Sequence, residues 1–178
     1  MRTIHISELT LEPLLPAHAE AMFVVLSDPA IYAYENQPPA SVDALRARYV
    51  RLEKRQSPDG SELWLNWVIR LPNAALIGYV QATVKADRSA LIAYELASPF
   101  WGRGLGSRAV TAMIDELRER YRTRELWALL KQKNHRSMRL LARLGFAPAG
   151  HAQSLAQGAE IDEAVMHRAL PQLDARMT

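Results

Sequence analysis

The chain has 178 residues, 49% of them hydrophobic and 23% charged, with no cysteine and a formal net charge of +3. That length and balance suit a single globular domain spanning 1–178, with no linker-like stretch to mark off a second. The lack of cysteine excludes disulfides, thiolate chemistry and cysteine-based metal sites. No apolar run is long enough for a membrane span and the first residues lack an export signal's apolar core, so a cytoplasmic protein without a membrane partner is expected.

Residues 9–14 alternate as a first strand, with Pro13 tolerable near its end. Residues 16–26 have apolar side chains at helical spacing, and Ser27-Asp28-Pro29 ends the pattern. The turn at 31–35 then puts Tyr32, Tyr34 and Glu35 on a loop, where they either border an acceptor groove or pack on the surface. Ser41 is a good N-cap for a helix through Leu52, which Ser57-Pro58-Asp59-Gly60 closes. Strands at 63–71 and 75–85 are joined by Pro72-Asn73, and Asp87-Arg88-Ser89 leads to an apolar strand at 91–97, completing an antiparallel meander.

That strand runs through Phe100-Trp101-Gly102-Arg103-Gly104-Leu105-Gly106-Ser107 into a helix at 106–121, with Val110, Met113, Ile114 and Leu117 as its buried stripe. Residues 124–130 form the next strand, which should lie parallel to 91–97 because a helix separates the two. A helix beginning at Asn134 ends at Gly145-Phe146, where another strand starts. A loop over 152–160 and a last strand at about 161–170 follow.

Glycines at a strand-to-helix turn have a chemical use. The first amides of a helix lack internal partners, the helix dipole adds positive charge, and glycine lets a phosphate approach the backbone. Arg103 and Arg108 add formal charge to the same turn. A nucleotide P-loop is excluded because no Gly-Lys-Ser/Thr follows, and the dinucleotide fingerprint fits poorly because its third small position falls on Ser107. The five histidines form no ligand-spaced pair, so no metal is expected, and the modest net charge does not require nucleic acid as a partner.

Two motifs carry a resemblance. Trp101-Gly102-Arg103-Gly104-Leu105-Gly106, and Asn134-His135-Arg136-Ser137 running on to Gly145-Phe146, resemble the phosphate loop and the Asn-to-Gly-Phe segment of the GCN5-related N-acetyltransferases. Trp101 departs from the usual first residue of the loop. The Trp-Gly-x-Gly form after a strand ending Tyr94-Glu95-Leu96 is similar to the ribosomal-protein N-terminal acetyltransferase branch. The resemblance implies an α+β acyl-CoA N-acyltransferase fold, a mixed central sheet with splayed parallel strands and flanking helices. It also implies acetyl-CoA as co-substrate. Its pyrophosphate would lie on the amides of Arg103, Gly104, Leu105, Gly106 and Ser107, its pantetheine arm beside Leu96 and Ala97, with Asn134 at the pantetheine and Arg139 at phosphate. Asn134 equally reads as a helix N-cap.

Acetyl transfer to an amine needs a base, a stabilised oxyanion and a proton for the departing thiolate. Glu95 is the candidate base, acting directly or through water, because a carboxylate in an apolar strand would have its pKa raised by burial; it could instead face solvent or pair with an arginine. The tyrosine that many relatives carry seven residues after the motif asparagine is Leu141 here. Resemblance to the ribosomal-protein branch assigns the thiolate side to Ser137, which also reads as a small helix residue. An α-amine, with a pKa of about 8 against about 10.4 for lysine, is more often the free base at neutral pH. The expected acceptor is therefore a protein N-terminus, an amino-acid derivative or a small amine, and the protein a monomer or homodimer. A non-catalytic acetyl-CoA-binding module is the alternative.

Overall fold

The computed structural model describes residues 1–34 and 37–171. Two short strands, β1 (Ile4–Ile6) and β2 (Leu9–Pro13), pair antiparallel at the start. A 3₁₀ turn (Pro16–His18) leads into α1 (Ala19–Val25), and a second 3₁₀ turn (Pro29–Tyr32) is capped by the Asp28 carboxylate, which accepts from the Ala30 N–H at 3.0 Å. Then comes α2 (Val42–Leu52), whose N-cap is Ser41 as the sequence predicts.

Three strands follow as the predicted meander, β3 (Glu62–Arg70), β4 (Leu76–Lys85) and β5 (Ser89–Leu96). After the glycine turn come α3 (Leu105–Arg120), β6 (Glu125–Lys131), α4 (His135–Arg143), β7 (Ala147–Pro148), α5 (His151–Ala156) and β8 (Glu163–Ala169). The eight strands form one mixed sheet in the order β1-β2-β3-β4-β5-β6-β8-β7, in which β5 and β6 are the parallel pair.

Strand alternation sorts the core into two layers. On one face Leu65, Trp67, Ile69, Ile77 and Ile92 pack with Met113 and Leu117 of α3 and with Leu141 of α4. On the other, Val68 and Ala97 pack with Met22 and Val25 of α1 and Leu45 and Tyr49 of α2. Neighbours at the end of β5 therefore look into different layers, Leu96 toward α3 and Ala97, the residue just after the strand, toward α1 and α2.

Local departures from the sequence reading are all in short elements. β1 is three residues, too short for its alternation to register as a strand. The strand after Gly145-Phe146 is only two residues, and the stretch expected as a loop at 152–160 holds the single turn-and-a-half of α5. The last strand begins at Glu163, two residues later than expected.

Candidate active site

The parallel strands meet over only three residue pairs, Ser89↔Glu125, Ala90↔Leu126 and Leu91↔Trp127. Beyond these, β5 continues to Leu96 and β6 to Lys131 without pairing to each other, so the sheet opens into a wedge. Two cavities meet there. One, of about 530 Å³, runs from the wedge toward Tyr32, Tyr34 and α2; the other, of about 380 Å³, runs past Leu96 to the glycine turn. Ile31, Tyr94, Glu95, Asn134 and Ser137 line both, so these five residues mark the junction.

The glycine turn is built as an anion cradle. Gly102 and Gly104 have φ of +73° and +75°, a left-handed conformation that only glycine adopts without strain, and a Cβ at either would meet nothing within 4 Å. Gly104 is the N-cap of α3 and no side chain caps that end. The first amides of a 16-residue helix are thus left without a side-chain acceptor, beside a cavity lined by Gly104, Gly106 and Ser107. Facing them across the cavity, Arg136, Arg139 and Arg143 stand on one stripe of α4 at spacings of three and four. Amides and arginines of this kind fit a polyphosphate such as that of acetyl-CoA.

Trp101 braces the turn. Its indole N–H donates to the Leu96 carbonyl at 2.7 Å, and the Arg136 guanidinium lies 3.2 Å from its ring centroid. The Asp28 carboxylate accepts from the Ser98 N–H at 2.6 Å, and hydrogen bonds from Ser98 hold its pKa below the usual carboxylate range. That bond ties the Pro29–Tyr32 turn to the end of β5.

Two arginines expected at the turn behave differently. Arg103 lays its guanidinium 5.8 Å from the Phe100 ring centroid and is not among the residues that line the cavity. Arg108 points away and pairs with Glu8 in the β1–β2 connection. The backbone of Ala97 is also engaged: its N–H donates to Ile77 and its carbonyl accepts from Phe100, at 2.9 and 3.0 Å. The alternation that turns the Ala97 N–H toward β4 turns the Leu96 N–H toward the gap, while the Leu96 carbonyl is taken by the Trp101 indole. Leu105 is buried, so its amide alone is available.

At the junction the sequence-selected residues come together. Asn134 is the N-cap of α4, its side-chain oxygen accepting from the Ser137 N–H at 3.1 Å, as the capping reading expects. The Ser137 hydroxyl is 2.6 Å from the hydroxyl of Tyr94, a residue that sequence reasoning missed. Burial foremost, with the charge of Glu95 adding to it, pushes the Tyr94 phenol up to about 12, so it stays protonated at neutral pH. Leu141, where relatives carry a tyrosine, is core. A phenol does reach this corner, but from β5 instead of α4.

Glu95 is half-buried and faces the other layer, opposite its cross-strand partner Tyr79 and near Tyr32. Burial and then Glu95 push the Tyr79 phenol up to about 12 and raise that of Tyr32. Tyr32 donates to the Leu26 carbonyl at 2.6 Å, and both Tyr32 and the exposed Tyr34 line the larger cavity. Glu35, the third residue expected at the acceptor groove, lies outside the described residues.

Comparison with known proteins fits this geometry to a family. The model of the acetyltransferase (GNAT) domain matches residues 8–147, most of the chain and both motifs' cores. The chain belongs to the GNAT acetyltransferases. This N-acetyltransferase domain superposes on a ribosomal-protein-S5-alanine acetyltransferase from Vibrio fischeri with a TM-score of 0.79 and 17% identity over 94% of this chain and 96% of that one. It is similarly close to RimL, a ribosomal L7/L12 α-N-protein acetyltransferase solved with coenzyme A, at TM-score 0.78 and 18% identity, covering 94% and 98%. A spermidine N-acetyltransferase SpeG chimera from Vibrio cholerae and hSSAT gives 0.74 and 22% identity, covering 92% and 96%. At such identities these likenesses bear on the GNAT fold, the mixed sheet with one parallel pair and flanking helices. Among the described residues no helix is long and apolar enough to cross a membrane.

Proposed function

We propose that this GNAT domain moves the acetyl group of acetyl-CoA to a primary amine, a protein N-terminus, amino-acid derivative or small amine, by direct attack in a ternary complex. The observation that carries the reading is one continuous trough. At one end are the uncapped amides of α3 and the arginines of α4; at the junction Glu95 looks into one layer and Tyr94 with Ser137 into the other. The thioester supplies the activated acetyl carbon, and the chain supplies orientation and proton transfer.

The amides of Arg103, Gly104, Leu105, Gly106 and Ser107 hold pyrophosphate, Arg139 neutralises phosphate, and Leu96 with Asn134 aligns the pantetheine arm. Glu95 takes the proton of the incoming ammonium, directly or through water, leaving a nitrogen lone pair to attack the acetyl carbon. As the C–N bond forms and the C–S bond breaks, the Ser137 hydroxyl delivers a proton to the sulfur and is resupplied from Tyr94 across their hydrogen bond; the second proton that the nitrogen sheds on becoming an amide returns through water to Tyr94, and Glu95 releases the first to solvent, so the products are the amide, the thiol and one proton. Tyr32 and Tyr34 wall the acceptor side. The likeness to RimL, an α-N-protein acetyltransferase, and the higher free-base fraction of an α-amine favour an N-terminal or amino-acid-like acceptor over lysine.

The test is thermal unfolding with and without acetyl-CoA, then thiol release with an amine panel. A ligand at about one hundred times its Kd stabilises by about 2.7 kcal/mol, about 5–10 °C for a domain of this size. A shift with acetyl-CoA and none with NAD, followed by amine-dependent thiol release, is the expected result. A shift without release across the panel would indicate a binding module instead.

A further inference from the structure

The acceptor-side cavity carries charge that the transfer chemistry does not use. Its wall on α2 is one helical stripe, Ala44, Arg48 and Arg51 at spacings of four and three, so both guanidiniums border the cavity that holds Glu95. The other arginine of this helix, Arg46, is turned away and paired to Asp43 and Glu20 at 2.8 and 3.0 Å. Among the described residues, Arg48 and Arg51 have no carboxylate at such a distance, and the cavity's charged lining is two guanidiniums against the single carboxylate of Glu95.

We propose that Arg48 and Arg51 form an anion subsite in the acceptor groove, so that the amine acetylated here carries a carboxylate or phosphate close to its amino group. This rests on the acetyltransferase reading above and narrows its substrate class. An ammonium is drawn to Glu95 and repelled by the α2 stripe, so an acceptor bearing both signs is oriented with its nitrogen at the junction and its anion on the forked guanidiniums. The charges act over a common space: Tyr32 and Tyr79 both feel Glu95 raising and Arg48 lowering their hydroxyl pKa. A polycationic amine would meet two like charges at the same wall, which disfavours it.

The experiment uses the full chain with coenzyme A present and three short peptides that differ only in an Asp, Asn or Lys as second residue. Equilibrium binding is measured first, then thiol release from acetyl-CoA with the same peptides, and with free aspartate and asparagine. The Asp peptide is expected to bind about fivefold more tightly than the Asn peptide, as two partly exposed ion pairs allow, and to lose that preference at high salt. The preference should vanish in Arg48→Gln/Arg51→Gln and persist in Arg48→Lys/Arg51→Lys, with retained coenzyme A stabilisation showing that both variants fold. A preference already present for aspartate over asparagine puts the anion on a small acceptor; one confined to peptides puts it on a protein N-terminus. Equal binding of the Asp and Asn peptides, or a preference unchanged in the glutamine variant, overturns the subsite. Acidic preference in binding with no acetylation of any amine supports the subsite and counts against the acetyltransferase reading.

Discussion

Replacing Gly104 by alanine separates what the glycine turn does for the fold from what it does for a ligand. At φ +75° an L-residue is strained, which costs about 1–2 kcal/mol, while the reduced freedom of the unfolded chain returns about 0.4–1 kcal/mol. The net loss is about 1 kcal/mol, about 2–4 °C in Tm, since the new methyl meets nothing within 4 Å. That open space is where a phosphate would approach the α3 amides, so the methyl should also remove a charge-assisted hydrogen bond worth about 1.5–3 kcal/mol. At 1.4 kcal/mol per decade, Kd for coenzyme A rises by about 10- to 100-fold. Gly60 is the internal control: its φ is +73°, its Cβ space is equally open, and it precedes the start of β3, where Glu62 pairs with Lys85 at the end of the sheet away from Leu96. Calorimetric titration of both variants should show matched losses of Tm and weakened binding only in Gly104→Ala. Wild-type affinity in Gly104→Ala would refute the assignment of the turn to phosphate.

Glu95→Gln should lower kcat by about 10²-fold while leaving the Kd for coenzyme A unchanged, measured by thiol release and titration; an unaltered kcat would remove Glu95 from proton transfer. Tyr94→Phe and Ser137→Ala should each lower kcat by about tenfold, and the double variant should be no worse than either, because both break one hydrogen-bonded unit; additive losses would show that they act separately. The Tyr79 and Tyr94 phenols are raised from 10.0 to about 12, so the folded protein holds these protons more tightly than the unfolded chain does. The stability this gives is fully present below pH 10 and is lost as pH rises from 10 toward about 12, so Tm should fall over that window and fall less steeply in Tyr79→Phe. A methyl on Gly78 would collide with the Glu95 carbonyl oxygen and come within 2.9 Å of the Leu96 Cα, so Gly78→Ala should cost about 3 kcal/mol, read by denaturant melts, as β4 and β5 are forced apart.

The longer locally ordered elements were legible in the sequence, whereas the three-residue β1 and the six-residue α5 are too short to carry a periodic signal. The glycine turn, the stripe of α3, the Asn134 cap and the parallel β5–β6 relation all follow from spacing or chain order, and the structure has them as read. What was not legible is juxtaposition across elements. Tyr94 and Ser137 are 43 residues apart, and Asp28 and Ser98 are 70 apart; neither pair has a periodic signature. Strand alternation says that Tyr94 and Glu95 face opposite ways, but only the helix layers decide which of them meets α4 and which meets α2. The fates of the α2 arginines are hidden for the same reason: Arg46 and Arg48 are two residues apart, yet one is tied to Glu20 and the other lines the cavity.

The wedge between β5 and β6 also matters for the backbone. Among the described residues, three pairs are all the backbone ladder that joins the β1–β5 half of the sheet to the β6–β8 half, so beyond Leu91 and Trp127 the two lips carry backbone that does not pair across the gap. The N–H groups of Tyr94 and Leu96 lie on its unpaired lip, and their exchange with deuterium should be fast in the free protein. An extended amide lying in the gap would act as a missing strand. Occupancy would then be written into the backbone itself, as slowed exchange at two residues whose neighbours Glu95 and Ala97, turned toward β4, hardly change.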